Sequence, residues 1–138
     1  MTIFTVLVSP SSTGSVALAS TSPFDPPLID PAFLNTTFDI QVMRTAVRSA
    51  ARFVTSHAWD GFVTGQGASF TGVDLGSDEE VDAWVRSQAS TIWHPTGTAR
   101  MGRCDDKDSA VDADLRVKGT KGLRVVDASV LVRIDHRS

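Results

Sequence analysis

DPPLIDPAFLNTTFDIQVMRTAVRSAARF, residues 25–53, holds two different backbone habits in one run. Its first third is built on Pro26, Pro27 and Pro31, with Pro23 just before. Each proline removes a backbone donor and biases the residue ahead of it away from the helical basin, so this part reads as extended chain. From Thr37 the period changes: Ile40, Met43, Val47, Ala50 and Val54 recur at three- and four-residue steps. Arg44, Arg48 and Arg52 fall on another face, where a solvated charged surface is expected. The spacing predicts an amphipathic helix over 38–55, with Asn35, Thr36 and Thr37 as candidate caps. Extended chain feeding such a helix places the molecule in the α+β class.

The flanking sequence extends this reading. Thr2–Val8 is β-branched and apolar almost throughout, the pattern of a buried strand. The turn-rich run at 9–14 and the alternation of Val16 and Leu18 over 15–19 suggest that the two strands form a hairpin. Residues 60–76, rich in Gly and Thr, read as a loop. Ser77 followed by Glu80 is a capping box, so a second helix starts there, with Val81, Trp84, Val85 and Gln88 on its inner face. Ala113–Val117 and Leu123–Val126 read as short strands around the Lys118–Gly122 turn. The expected architecture is an antiparallel or mixed sheet packed by two main helices, forming one domain over residues 1–138.

Composition limits the function classes. The formal charge of −3, with acids and bases interspersed, leaves no electrostatic footprint for nucleic acid or an anionic membrane. No apolar run reaches the length of a membrane span, and the opening residues lack the layout of a signal peptide, so a cytoplasmic location is expected. Cys104 alone makes no disulfide framework. His57, His94 and His136 stand apart from one another and from ligand-spaced carboxylates, so no metal site is expected. Gly61, Gly65 and Gly67 do not form a dinucleotide fingerprint.

His94 has different neighbours. Pro95 stiffens the backbone beside it, while Thr96, Gly97, Thr98 and Ala99 leave open space and hydroxyls next to the imidazole. A histidine titrates near neutrality and can exchange a proton at working pH. A packing role for His94 is the competing reading. Trp93 is either a core aromatic or part of a pocket wall, and Arg100 either holds a ligand's anionic group or pairs with the nearby Asp105, Asp106 and Asp108.

HPTGTARMG at 94–102 and SAVDADLRVKGTKGLRVVDASVL at 109–131 together are similar to the C-terminal signature of the glucose-methanol-choline (GMC) flavin oxidoreductases, such as aryl-alcohol oxidase. Residues 25–53 resemble the strand and helix of that family's substrate-binding domain. The resemblance implies that His94 is the base that takes an alcohol's hydroxyl proton, and that Gly97, Asp127, Ala128 and Ser129 are positions touching the flavin. It sets the family's second catalytic position at Ser138, with His136 nearby, and Val132 replaces a usual proline. The glycine-rich FAD-binding half of the family has no counterpart in these residues, which leads to three expectations.

The first is a flavin-free, stand-alone enzyme: a cyclase, isomerase, dehydratase or pericyclic catalyst acting on a small apolar or aromatic metabolite. In it His94 works with Thr96, Thr98, His136 or Ser138, Trp93 and Arg100 contact substrate, and a homodimer covers the surface the flavin domain would occupy. The second is the substrate-binding half of a split oxidase or dehydrogenase, with FAD bound by a partner chain. The third is a non-catalytic binding remnant.

Overall fold

The computed structural model describes residues 2–65 and 70–132, which fall into two compact units, 1–90 and 91–138. In the first unit the elements run β1 (Ser15–Ala17), β2 (Leu28–Asp30), α1 (Thr37–Val54) and α2 (Asp78–Gln88), with a 3₁₀ turn at His57–Trp59. The protein is α+β, with two main helices and a small antiparallel sheet.

α1 begins where the sequence places it. The Thr36 hydroxyl caps the Asp39 N–H at 3.2 Å. Asp39 is fully buried, and its carboxylate accepts the N–H of Ser11 (2.7 Å), the N–H of Ser12 (2.9 Å) and both serine hydroxyls. The Ser12 hydroxyl in turn accepts the Asn35 N–H at 3.0 Å, so the turn at 9–14 is stitched to the start of the helix. Burial by itself would raise the Asp39 pKa, but the bonds from Ser12 and Ser11 outweigh it and hold the group well below the usual carboxylate range.

Leu34, Ile40, Val47, Val81 and Val85 form the core of this unit, with Met43, Phe70, Val73, Leu75 and Trp84 packed against it. Burying each such aliphatic side chain contributes roughly 1.5–3 kcal/mol. The Ser77 hydroxyl caps α2 through the Glu80 N–H at 3.2 Å. Only half of the expected capping box forms. The Ser77 N–H donates to the Asp74 carbonyl, which frees the Glu80 carboxylate to accept the Asp74 N–H at 2.9 Å. Val81 and Val85 are buried, Trp84 is half-buried, and Gln88 is exposed.

Two sequence expectations are corrected here. Arg44 and Arg48 do not lie on a solvated face; they clamp α1 to α2. Arg44 pairs with both Asp82 oxygens (2.6 and 2.5 Å) and with Asp78, while Arg48 pairs with Asp78 (2.7 Å) and donates to the Leu75 carbonyl (2.8 Å). Both helices carry these charges four residues apart, so the two pairs meet when the apolar faces pack. Arg52 is exposed and donates to the Ser49 hydroxyl (2.9 Å).

The hairpin differs as well. β1 pairs with β2, Val16 opposite Ile29, and among the described residues Thr2–Val8 forms no strand with β1. Gly14 permits this register, because a Cβ there would stand 2.1 Å from the Asp30 carbonyl oxygen.

In the second unit, Val111 and Val130 are buried beside Ser109. The expected strands at 113–117 and 123–126 form a hairpin of two backbone bonds, Val117 N–H to Leu123 and Val125 N–H to Leu115. A turn in which Asp112 accepts the N–H groups of Asp114 and Arg116 (2.9 Å each) and Leu115 takes φ +63° interrupts the first strand. Lys118 ties this hairpin to the preceding loop by donating to the Arg103 and Asp106 carbonyls and the Ser109 hydroxyl. No helix among the described residues is long and apolar enough to cross a membrane.

A carboxylate with a depressed folded pKa adds stability that is fully present above its unfolded value, about 4, and is lost as pH falls below it. Urea unfolding of the chain should therefore weaken from about pH 4 downward. Asp39→Ala should remove about 3 kcal/mol at pH 7 and reduce the acid sensitivity; a variant as stable as the parent would contradict this assignment.

Candidate functional site

The site is assembled by backbone pairing within the second unit. The Ala99 N–H donates to the Ser129 carbonyl (3.0 Å) and the Met101 N–H to the Val130 carbonyl (2.9 Å). On its other side the same segment is fixed by the Gly102 N–H to Val111 (3.0 Å) and the Ala110 N–H to Arg100 (2.9 Å). The loop at 93–98 is thus held beside residues 127–131.

Residues 128–130 form a 3₁₀ turn capped by Asp127, whose Oδ1 accepts the Ser129 N–H at 2.8 Å. Hydrogen bonds from the Ser129 hydroxyl and N–H lower the Asp127 pKa. Gly97 turns the opposite wall at φ +82°; the nearest atom to a Cβ there would be the Leu131 oxygen at 3.7 Å, so its constraint is torsional and not spatial. Trp93 takes φ +65°, which bulky residues rarely adopt, with its N–H held by the Thr91 hydroxyl (2.9 Å) and the residue 82 % exposed.

Between these walls lies a cleft of about 520 Å³ lined by Trp93, His94, Pro95, Thr96 and Thr98 on one side and Asp127, Ala128, Ser129 and Leu131 on the other. The His94 ring is exposed, and no hydrogen bond joins it to another described residue. The cleft therefore combines an unengaged imidazole, three hydroxyls, an indole, a carboxylate and apolar patches from Pro95, Ala128 and Leu131.

Most of the residues singled out in the sequence meet here: Trp93, His94, Thr96, Thr98, Asp127, Ala128 and Ser129. Gly97 shapes the wall without lining it. Arg100 is not among the lining residues. Its guanidinium is taken up by Asp106 (3.3 Å) and the Asp108 carbonyl (3.0 Å), the partners offered by sequence proximity. His136 and Ser138 lie outside the described residues, as does Gly67 of the loop. Pro95 and Leu131 are additions: the sequence marks the proline only as a brace for His94, and nothing in the spacing of Leu131 marks it. His57 is exposed and pairs with Asp60, and no group of His, Cys, Asp and Glu among the described residues could hold a metal ion. A second groove, about 410 Å³ along Phe38, Val42, Thr45 and Ser49 of α1, carries no titratable side chain.

The model of the GMC oxidoreductase family matches residues 10–135. The chain belongs to the GMC oxidoreductase family. It corresponds to the family's C-terminal, substrate-binding part. Dehydrogenase eriK of Hericium erinaceus is 37 % identical over 135 residues, which cover 93 % of this chain and 22 % of the relative. Pyranose dehydrogenase 3 of Leucoagaricus meleagris is 42 % identical over 120 residues, 87 % of this chain and 20 % of that one. A solved structure of Aspergillus oryzae formate oxidase, concerned with FAD modification, superposes with a TM-score of 0.80 at 34 % identity, covering 88 % of this chain and 21 % of that one. The chain thus spans about a fifth of the length of these GMC relatives, and the stretch that holds the flavin in the family lies outside these residues.

If the Asp127 cap sets this wall, Asp127→Asn, which keeps an acceptor for the Ser129 N–H, should leave the Ser129 amide resonance and its exchange rate nearly unchanged. Asp127→Ala should speed that exchange roughly fivefold, the loss of about 1 kcal/mol for a cap. Equal exchange in both variants would show that the cap does not hold the turn.

Proposed function

We propose that residues 1–138 serve as one substrate-binding domain of an FAD-dependent GMC alcohol oxidoreductase, working against a flavin held by polypeptide outside these residues, whether in the same chain or a partner. The observation that carries this reading is the cleft: it sets His94 and two threonine hydroxyls opposite Asp127, Ala128 and Ser129, in a chain whose relatives include dehydrogenases and oxidases.

The residues fit one end of the cofactor. Pro95, Ala128, Leu131 and the turn at Gly97 offer a low, apolar wall suited to the edge of a flat ring. They do not fit its phosphates. A helix N-terminus binds phosphate through unengaged N–H groups. Here the α1 start carries the Thr36 cap and Asp39 in its first turn, and the α2 start the Ser77 cap with Asp78, Glu79 and Glu80, acidic groups that repel a phosphate. FAD, when bound, supplies the acceptor for the hydride leaving the alcohol carbon. His94 takes the hydroxyl proton, Thr96 and Thr98 orient the alcohol oxygen, and Trp93 stacks on the substrate body. Asp127 fixes the Ser129 turn beside them.

The flavin-free alternative, a cyclase, isomerase, dehydratase or lyase on an apolar or aromatic metabolite, uses the same cleft and the same His94. A homodimer in that case would cover exposed apolar side chains such as Phe4, Phe24 and Phe62. The family relatives favour the flavin reading.

The test places this chain in pyranose dehydrogenase 3, in exchange for the matching residues. The fusion should bind FAD, and sugars or primary alcohols should bleach it. His94→Ala should slow the bleaching 10²–10⁴-fold, the usual contribution of a general base, at unchanged flavin content. A change of less than threefold would overturn the role of His94. Turnover of a metabolite by the colourless chain alone, lost in the same variant, would favour the flavin-free reading.

A further inference from the structure

Trp93 and His94 are neighbours in the chain, and both line the cleft. In extended backbone adjacent side chains point to opposite sides, so a straight run through this segment would turn one of the two away. The backbone reverses instead: Trp93 takes φ +65°. In that basin the Cβ of a bulky residue crowds the following carbonyl oxygen, which disfavours the conformation roughly tenfold, so a local interaction must hold it.

Packing supplies little of that hold, since Trp93 is 82 % exposed and Ile92 49 %. The Thr91 hydroxyl supplies it. It accepts the Trp93 N–H at 2.9 Å, so a side-chain oxygen two residues upstream takes the place of the carbonyl that closes an ordinary turn. The chain uses the same device at Ala32, another non-glycine residue with positive φ (+48°), whose N–H is taken by the Asp30 carboxylate at 2.9 Å. Downstream of His94, Pro95 fixes its own φ and keeps the histidine out of the helical basin. The joint left to set is φ of Trp93, and Thr91 sets it.

We propose that Thr91 is a positioning residue of the cleft: by holding Trp93 in the left-handed basin, its hydroxyl presents the indole and the His94 imidazole to the same space. A substrate stacked on Trp93 then meets the proton acceptor on the next residue. Thr91 is not among the residues lining the cleft, so its effect on chemistry passes through its two neighbours. Without the hydroxyl, Trp93 relaxes to negative φ and the two side chains part. The consequence for catalysis rests on the reading of His94 as the base for an alcohol, whereas the turn belongs to this chain alone.

The test uses four variants, in the isotope-labelled chain and in the fusion with pyranose dehydrogenase 3. Thr91→Val, which keeps the shape, and Thr91→Ala, which does not, both remove the acceptor; Thr91→Ser and Thr91→Asn keep an oxygen that takes the N–H two residues on. In the chain alone, valine or alanine should speed exchange of the Trp93 amide roughly fivefold, the loss of one hydrogen bond. The one-bond Cα–Hα coupling of Trp93 should move from the value of a positive φ to that of a negative one, and serine and asparagine should restore both readouts. In the fusion, valine should slow flavin bleaching at saturating substrate roughly tenfold or more, the effect of a misplaced base, at unchanged flavin content and melting temperature. Serine should stay within about twofold of the parent. A Trp93 φ that stays positive in the valine and alanine variants, equal bleaching with valine and serine, or a loss that neither serine nor asparagine restores would each overturn the proposal. Relaxation of Trp93 in the valine variant, with a parent fusion that never reduces FAD, would retain Thr91 as the residue that sets the turn and remove the oxidoreductase reading.

Discussion

The site depends on two backbone hydrogen bonds, from Ala99 to Ser129 and from Met101 to Val130. They join two stretches about thirty residues apart in a unit with a very small core, Val111 and Val130 being its buried aliphatic residues among those described. Without them the loop carrying His94 would have no fixed distance to Asp127, Ala128 and Ser129. With them, small residues at 97 and 99 and a capped turn at 127–130 give the cleft two defined walls. This division of labour explains why the site tolerates so little regular structure: its precision comes from pairing at 99–101 and from the Asp127 cap, not from a sheet or helix.

The sequence showed the helices clearly because their signals are local. The apolar period from Ile40 to Val54, the Thr36 cap and the Ser77 cap act within a few residues, and the structure follows them. It concealed whatever depends on distant partners. Asp78 and Glu79 could be read as dipole-favouring residues at the start of α2, but that Asp78 and Asp82 bind Arg44 and Arg48 follows only once the two helices pack. The register of β1 was hidden for the same reason: the alternation of Val16 and Leu18 announces a strand without naming its partner, and Gly14 makes room for Asp30 instead of closing a turn back to Val8.

The candidate site was legible in a different way. His94, Thr96 and Thr98 could be suspected from their own chemistry, but Asp127, Ala128 and Ser129 could be joined to them only through the family pattern. Leu131 could not be assigned because a single leucine carries no periodic signal. Arg100 shows the opposite case, where the simplest local pairing with Asp106 proved sufficient.

What the chain contributes and what it leaves to other polypeptide can be separated physically. It offers an exposed imidazole, hydroxyls and an apolar wall, while both of its long helices begin with a hydroxyl cap and acidic residues in the first turn, a poor seat for the phosphates of a dinucleotide. The central claim is that the cleft is already assembled by this chain's own backbone. Through-hydrogen-bond scalar couplings in an isotope-labelled sample measure that directly. The account predicts a resolvable coupling from the Ala99 nitrogen to the Ser129 carbonyl carbon and another from Met101 to Val130; the absence of both, with rapid exchange of the two amides, would contradict it.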